Sequence, residues 1–248
     1  HNPFLENQLK QLEMQFIATK KRLENKFKAK KFIVYFQSFT NTYAPLSTLK
    51  ALYEKALSFD DVIGLSIGTR TDCVTDEILD FLYEKSKEKE IWIEYGIQSF
   101  FQTTLDKINR ADNIENMRYW IKKTKDKELN VCGHLIYGLP DENQEMMLET
   151  FKQTIDLKVD SIKFHPLYVV KNTLLTNEFK KGRFTPISEE LYIDTVVQSI
   201  INLPQNVSVQ RVTAGIDDDT LLSPLWCKNK HQQMKSIRVA LEEKGFIY

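Results

Sequence analysis

Residues 91–98 read IWIEYGIQ, and at period two they split into Ile91, Ile93, Tyr95 and Ile97 on one side and Trp92, Glu94, Gly96 and Gln98 on the other. One face is apolar; the other carries an acid, an amide and a glycine. The stretch VIGLSIGTR, 62–70, repeats the division, with Ile63, Leu65, Ile67 and Thr69 opposing Gly64, Ser66, Gly68 and Arg70. In SIKFHP, 161–166, Lys163 and His165 share a face. A parallel strand covered by helices is apolar on both sides, so ionisable residues recurring on one side mark an enclosed polar pocket.

Outward from these three strands, the pattern predicts strands near 32–38, 61–69, 91–98, 130–137, 160–166 and 206–211. Helices are expected near 47–58, 75–89, 143–157, 188–202 and 229–244, with helical stretches near 101–126 and a loop over 167–186. Thr75 is placed to cap the helix of DEILDFL, and Pro140, Pro166 and Pro204 stop the elements before them. Serial βα units require a parallel sheet, and the inward polar residues favour a barrel or partial barrel over an open sheet. Ahead of them, Leu5, Leu9, Leu12, Phe16, Leu23 and Phe27 fall near helical spacing against a Lys-rich side, giving a long amphipathic helix that ends in the basic run KFKAKK. A barrel opens on a strand and this chain opens on a helix, so sequence upstream is expected to be missing; His1 fits the remnant of a tag.

With 248 residues, 42% hydrophobic and 27% charged, the chain can fill one large α/β domain over 1–248, with 203–248 as its carboxyl-terminal extension. The 34 basic and 34 acidic residues cancel, which removes any general field for nucleic acid or an anionic membrane and leaves only local patches. No apolar run nears the ~20 residues of a membrane span. A soluble cytoplasmic protein without a membrane partner is the expectation. Cys73, Cys132 and Cys227 stand far apart without a CxxC pair, so neither a disulfide framework nor a metal site is legible.

In a parallel barrel the carboxyl ends of the strands converge on one mouth. That mouth would gather Gln37, Thr40, Asn41 and Thr42, then Thr69, Arg70 and Asp72, then Glu94 and Gln98, then His134 and Gly138, then Lys163, His165 and Arg211. Cations, carboxylates and amides together suit a zwitterionic ligand. Plainer readings stand beside this one. FTNTYAP, 39–45, also reads as a polar turn whose Asn and Thr satisfy loop backbone, and Arg70 with Asp72 as a local ion pair. Glu94 is harder to explain away, because a carboxylate inside an apolar strand must find a partner or protonate. The chain has no GxGxxG, no Walker P-loop and no legible triad.

The stretches YFQSFTNTYAP (35–45), GLSIGTRTDC (64–73), IEYGIQS (93–99), INR (108–110), HLIYGLPDE (134–142), IKFHPLYVVKNTLL (162–175), RVTAG (211–215) and PLWCKNK (224–230) occur in the order seen in radical S-adenosylmethionine (SAM) proteins. The chain resembles the YhcC-like group of that superfamily, related to Elongator-type and MiaB-type enzymes. The resemblance implies a partial, six-stranded (β/α) barrel, without its first strand and cluster loop here. It also implies a four-iron four-sulfur cluster and SAM, cleaved reductively to a 5'-deoxyadenosyl radical that acts on a substrate the sequence does not identify. By motif position, Gln37, Thr40, Asn41 and Thr42 would border the methionine moiety, Thr69, Arg70 and Glu94 would hold polar groups of the cofactor, and Ile136 with Gly138 would flank the adenine. Lys163, His165 and Arg211 would face the substrate. An electron donor such as flavodoxin or ferredoxin is implied, and tRNA is a partner by kinship. The family's CxxxCxxC is absent, so this polypeptide is expected not to assemble the cluster. A non-catalytic barrel that binds SAM or another small anion is the reading from a different class.

Overall fold

The computed structural model describes residues 3–37 and 39–246. In chain order the elements are α1 (Pro3–Phe27), β1 (Phe32–Phe36), α2 (Leu46–Leu57), β2 (Val62–Thr69), α3 (Asp76–Ser86), β3 (Glu90–Gln98), α4 (Gln102–Lys107), α5 (Ile114–Asp126) and β4 (Asn130–Tyr137). They continue with α6 (Gln144–Asp156), β5 (Ser161–Pro166), β6 (Val169–Val170), α7 (Leu174–Lys180), α8 (Glu189–Ile201), β7 (Ser208–Arg211), β8 (Leu221–Ser223) and α9 (Lys230–Glu243). The main sheet has the order β1-β2-β3-β4-β5-β7. Its β1–β2, β2–β3, β4–β5 and β5–β7 pairs are parallel. This is the α/β organisation of a partial (β/α)6 barrel. The chain divides into two compact units, residues 1–95 with 120–131 and residues 96–119 with 132–248.

In the first unit the predicted apolar side of β2 and β3 is buried except at the start of β2, where Ile63 is exposed. Leu65 and Ile67 on β2 and Ile91, Ile93 and Tyr95 on β3 are buried, each apolar side chain contributing about 1.5–3 kcal/mol by leaving water. The Tyr95 hydroxyl shares a 2.8 Å hydrogen bond with Thr124 Oγ1 on α5, so the one polar atom of that face is satisfied. Thr75 caps α3 by accepting from the Ile78 amide at 3.5 Å. Along α1, Leu5, Leu9, Leu12, Phe16 and Leu23 form the half-buried stripe that their spacing implies. Phe16 stacks on Phe59 at 4.3 Å between ring centroids and meets Phe32 edge-on at 6.3 Å. Phe27, the last residue of that stripe, is exposed because the helix ends there.

The second unit is built around Tyr137, Phe164 and Tyr192. Tyr137 lies 5.3 Å from the Phe164 ring and 6.3 Å from the Tyr192 ring. Its hydroxyl shares a 2.7 Å bond with Ser199 Oγ, and the Tyr192 hydroxyl donates to the Val212 carbonyl at 2.8 Å. Burial raises the tyrosines Tyr53, Tyr95, Tyr137 and Tyr192 well above the ordinary phenol range.

One region differs from the sequence expectation. Residues 167–186 are not a plain loop: β6 pairs antiparallel with β8, and α7 follows, its amino end capped by Thr173. A two-residue strand shows no periodicity, and its partner lies some fifty residues away, so only the tertiary pairing reveals it. The helical stretches expected over 101–126 are the two helices α4 and α5, separated where Asn109 takes a left-handed φ of 54° and the Arg110 amide turns back to the Leu105 carbonyl at 2.8 Å.

Candidate functional site

In the first unit the polar faces of β1, β2 and β3 meet at Glu94. Register places Tyr35 opposite Ser66 and Gly68 opposite Glu94, so residues of one lettering lie side by side. Glu94 is 2% exposed. Tyr35 Oη donates to its Oε2 at 2.7 Å and Ser66 Oγ donates to its Oε1. Each carboxylate oxygen is thus met by a hydroxyl from a different strand, which offsets the cost of burying the acid.

The loops leaving these strands hold the other predicted residues of this unit. Asn41 bridges β1 and β2, its Nδ2 donating to the Phe36 carbonyl at 3.0 Å and the Gly68 carbonyl at 2.9 Å, and its own carbonyl accepts from Tyr53 Oη at 2.5 Å. Thr42 Oγ1 lies 2.5 Å from Thr69 Oγ1 and 2.6 Å from the Cys73 carbonyl. Asn41 and Thr42 therefore set the shape of the loop. Arg70 Nε donates to Asp72 Oδ1 at 2.8 Å and Nη2 to Oδ2, a forked ion pair. Thr40 is half-buried and Gln37 exposed; Gln37 lines, with Asn41, a cavity of about 660 Å³ walled by α1 and β1.

In the second unit Lys163 and His165 share a face of β5, as expected, and β7 brings Arg211 to the rung of Lys163. On β4, His134 lies beside Lys163 and Ile136 beside His165. His165 Nδ1 is 2.6 Å from the Pro166 carbonyl, and because that oxygen can only accept, Nδ1 carries the proton and Nε2 is left as an acceptor. The ring packs against Tyr168 at 4.9 Å. Burial, then the nearby Arg211 charge, pushes the imidazole down to about 4, and His134 adds to the shift, so His165 is neutral at pH 7. Arg211 Nε is buried and meets no acceptor among the described residues. Gly138 has a φ of 87°, and a Cβ there would lie 2.7 Å from the Ile187 side chain.

Sequence reasoning left Gln98 and Arg110 out of the cofactor set. Gln98 ends β3 at a φ of 70°, and its Oε1 is buried with no donor among the described residues. Arg110 Nη2 donates to the Gly96 carbonyl at 2.6 Å. A Cβ on Gly96 would fall 2.8 Å from Gln98 Nε2 and 3.4 Å from Arg110 Nη2, so the glycine leaves room for both. The signal was available in the Gly-x-Gln step on the polar face of 91–98 and in INR.

A buried amide oxygen awaiting a donor fits a ligand that brings hydroxyl or amine groups, as the ribose of SAM does. The thiols do not fit a cluster. Cys73 is half-buried, Cys132 and Cys227 are fully buried, and none of the three forms a disulfide. Burial pushes Cys227 up to about 12, the opposite of the thiolate an iron site requires. No helix among the described residues is long and apolar enough to cross a membrane.

Comparison with known proteins gives the same answer from outside. Residues 10–154 match the family described as the Radical SAM superfamily, and residues 159–243 match the Radical_SAM C-terminal domain. The uncharacterized protein YtqA of Bacillus subtilis is 36% identical over 98% of this chain and 75% of its own length. The protein YhcC of Escherichia coli is 37% identical over 88% of this chain and 71% of its own. A tRNA uridine(34) acetyltransferase of Methanocaldococcus infernus is 25% identical over 75% of this chain and 36% of its own length. Among solved structures, Methanocaldococcus infernus Elp3 with an N-terminal deletion superposes with a TM-score of 0.75 at 22% identity, covering 95% of this chain and 60% of that one. The chain belongs to the radical SAM superfamily.

Proposed function

We propose that this chain is the barrel core of an enzyme that cleaves SAM reductively and uses the resulting 5'-deoxyadenosyl radical to take a hydrogen from its substrate. The observation that carries this reading is the pair of family matches, which together run from residue 10 to residue 243. When bound, the cofactor supplies the radical; the chain's own residues bind, orient and exclude water. In the first unit, Gln37 and Thr40 offer groups to the methionine end of SAM from a loop held in shape by Asn41 and Thr42, with Thr69, Arg70 and Glu94 as polar partners. In the second unit, Ile136 and Gly138 flank the adenine, Gln98 Oε1 accepts from the cofactor, and Lys163, His165 and Arg211 face the substrate. The three thiols of these 248 residues give no cluster set, so the chain alone contributes binding and positioning.

Anaerobic reconstitution of the complete gene product beside the 248-residue chain tests this, with iron and sulfide content and 5'-deoxyadenosine release as readouts. Cluster and nucleoside are expected from the complete product and neither from the chain. A folded complete product that yields neither overturns the enzyme reading in favour of a non-catalytic binding barrel. Modification of tRNA is the second reading, supported by the 25% likeness to the tRNA uridine(34) acetyltransferase.

A further inference from the structure

We infer that Ser99 and Glu142 are positioning residues for the cofactor: the hydrogen bond between them holds Gln98 in a left-handed turn at the end of β3 and so fixes where its amide meets the ligand. The ligand named here rests on the radical SAM reading above; the clamp on the turn does not.

Gln98 ends a strand with a φ of 70°. Lys28, Asn109, Glu128 and Lys158 share that left-handed backbone, but each lies within two residues of the end of a helix, where it serves as a cap. Gln98 has no helix to cap. The Ser99 amide instead donates to the Ile97 carbonyl at 2.9 Å, an i to i+2 bond that makes Gln98 the centre of a γ-turn of the rare, strained hand. Such a residue persists only where its surroundings over-determine it, and such residues cluster at ligand clamps and active sites.

The surroundings of this turn tie it down on several sides. Ser99 is fully buried, and its Oγ donates to Glu142 Oε1 while accepting from the Phe101 amide at 3.1 Å. The Phe100 amide donates to Thr150 Oγ1 on α6 at 3.2 Å. Glu142 follows Asp141, itself left-handed at a φ of 65°, in the loop after β4, so the bond to Ser99 staples the exits of β3 and β4 together. Lys107 on α4 pairs with Asp141, while Glu142 receives hydroxyls, from Ser99 and from Thr104. Burial raises the Glu142 carboxyl above the ordinary carboxylate range, and these two hydrogen bonds oppose that rise.

Gly96 supplies the space that the turn needs. A Cβ there would lie 2.8 Å from Gln98 Nε2, so the Gln98 side chain folds back over the glycine. Its Oε1 is then buried with no donor among the described residues. A buried acceptor costs free energy until a donor reaches it, and the strained turn holds this one in place for a hydroxyl or amine of the ligand.

The test has two arms. In the 248-residue chain without ligand, deuterium exchange of the residue-99 amide, followed by 15N NMR, reports the turn. Exchange is expected to be slow in the wild type and about tenfold faster or more in Ser99→Ala and Glu142→Ala. Glu142→Gln, which keeps an acceptor for Ser99 Oγ, should stay close to the wild type. In the complete gene product, with its cluster reconstituted anaerobically, equilibrium dialysis of SAM reports the ligand. Glu142→Ala and Gln98→Ala are each expected to weaken SAM about tenfold, in line with the loss of one hydrogen bond. The double variant should be no weaker than Gln98→Ala alone, because Glu142 acts through Gln98. Unchanged exchange in folded Ser99→Ala and Glu142→Ala proteins overturns the clamp. Faster exchange with unchanged SAM affinity, or losses that add in the double variant, overturns the positioning role. A folded wild-type product that holds its cluster but binds no SAM overturns the enzyme reading and the ligand assigned to Gln98, while the exchange arm still decides the clamp.

Discussion

Glu94 and His165 both stand on polar faces of strands, and the protein accommodates them by opposite means. Glu94 is given hydroxyl donors from Tyr35 and Ser66, whereas His165 is held in its neutral form by burial and by the Arg211 charge. The second arrangement has a consequence for stability. The folded imidazole titrates at about 4, below the 6.5 of a free histidine, so between those values the unfolded chain takes up a proton that the native protein refuses. The stabilisation is therefore complete above pH 6.5 and is lost as pH falls to 4, by about 3 kcal/mol at ~1.4 kcal/mol per unit. Urea unfolding of the wild type and of His165→Gln at pH 7 and pH 4 should show the wild type losing that much more than the variant, the carboxylate titrations common to both cancelling. Equal losses would mean that the imidazole is solvated. Glu94 was legible in the sequence because an acid in an apolar strand is anomalous. Gln98 was legible as a residue of the mouth but not as a cofactor contact, and Arg110 was not singled out, because an arginine in a turn is ordinary; its contact with the Gly96 carbonyl brings it to the same place.

At the scale of elements, β4 leaves the sheet through Gly138, and this exit has no room for a side chain. A Cβ there would meet Ile187 at 2.7 Å on a backbone whose φ of 87° already disfavours L-residues. Gly182, at the end of α7, has a comparable φ of 67° but nothing within 4 Å of its Cβ position. The two glycines thus separate backbone strain from crowding. Gly182→Ala is expected to cost about 1 kcal/mol from strain alone, and Gly138→Ala about 2–4 kcal/mol once overpacking is added. Urea midpoints measure both. Equal costs would show that Ile187 moves aside freely and that the tight exit after β4 is not enforced by packing. The long strands and helices were readable because five to nine residues of period two, or a dozen of period 3.6, outweigh local noise. The antiparallel β6–β8 pair and α7 were not, since two or three residues carry no period and α7 is held by Thr173 and Thr176 hydroxyls that bond the Val170 carbonyl at 2.9 and 2.5 Å.

For the whole molecule, the serial βα rhythm was enough to give the fold class, while the partner depends on charge and on how much of each relative is shared. The 34 basic and 34 acidic residues leave no net field to draw in a polyanion. The tRNA uridine(34) acetyltransferase shares only 36% of its own length with this chain, so the part that gives that enzyme its name lies as readily in the unshared remainder as in the shared barrel. The lysines of α1 and the run after it are also partly spoken for, with half-buried Lys20 and exposed Lys31 both paired to Asp61 at 3.0 and 3.3 Å. A protein that recognises tRNA releases counterions as its cations meet phosphates, and its affinity then falls steeply as salt rises. This chain is expected to bind tRNA weakly at low salt and without measurable affinity at about 0.15 M, where the Debye length is ~8 Å. Fluorescence anisotropy of labelled tRNA across a salt series measures this. Binding that survives at that ionic strength and weakens log-linearly with a slope of several units would reveal a local basic track and move tRNA modification ahead of the other readings.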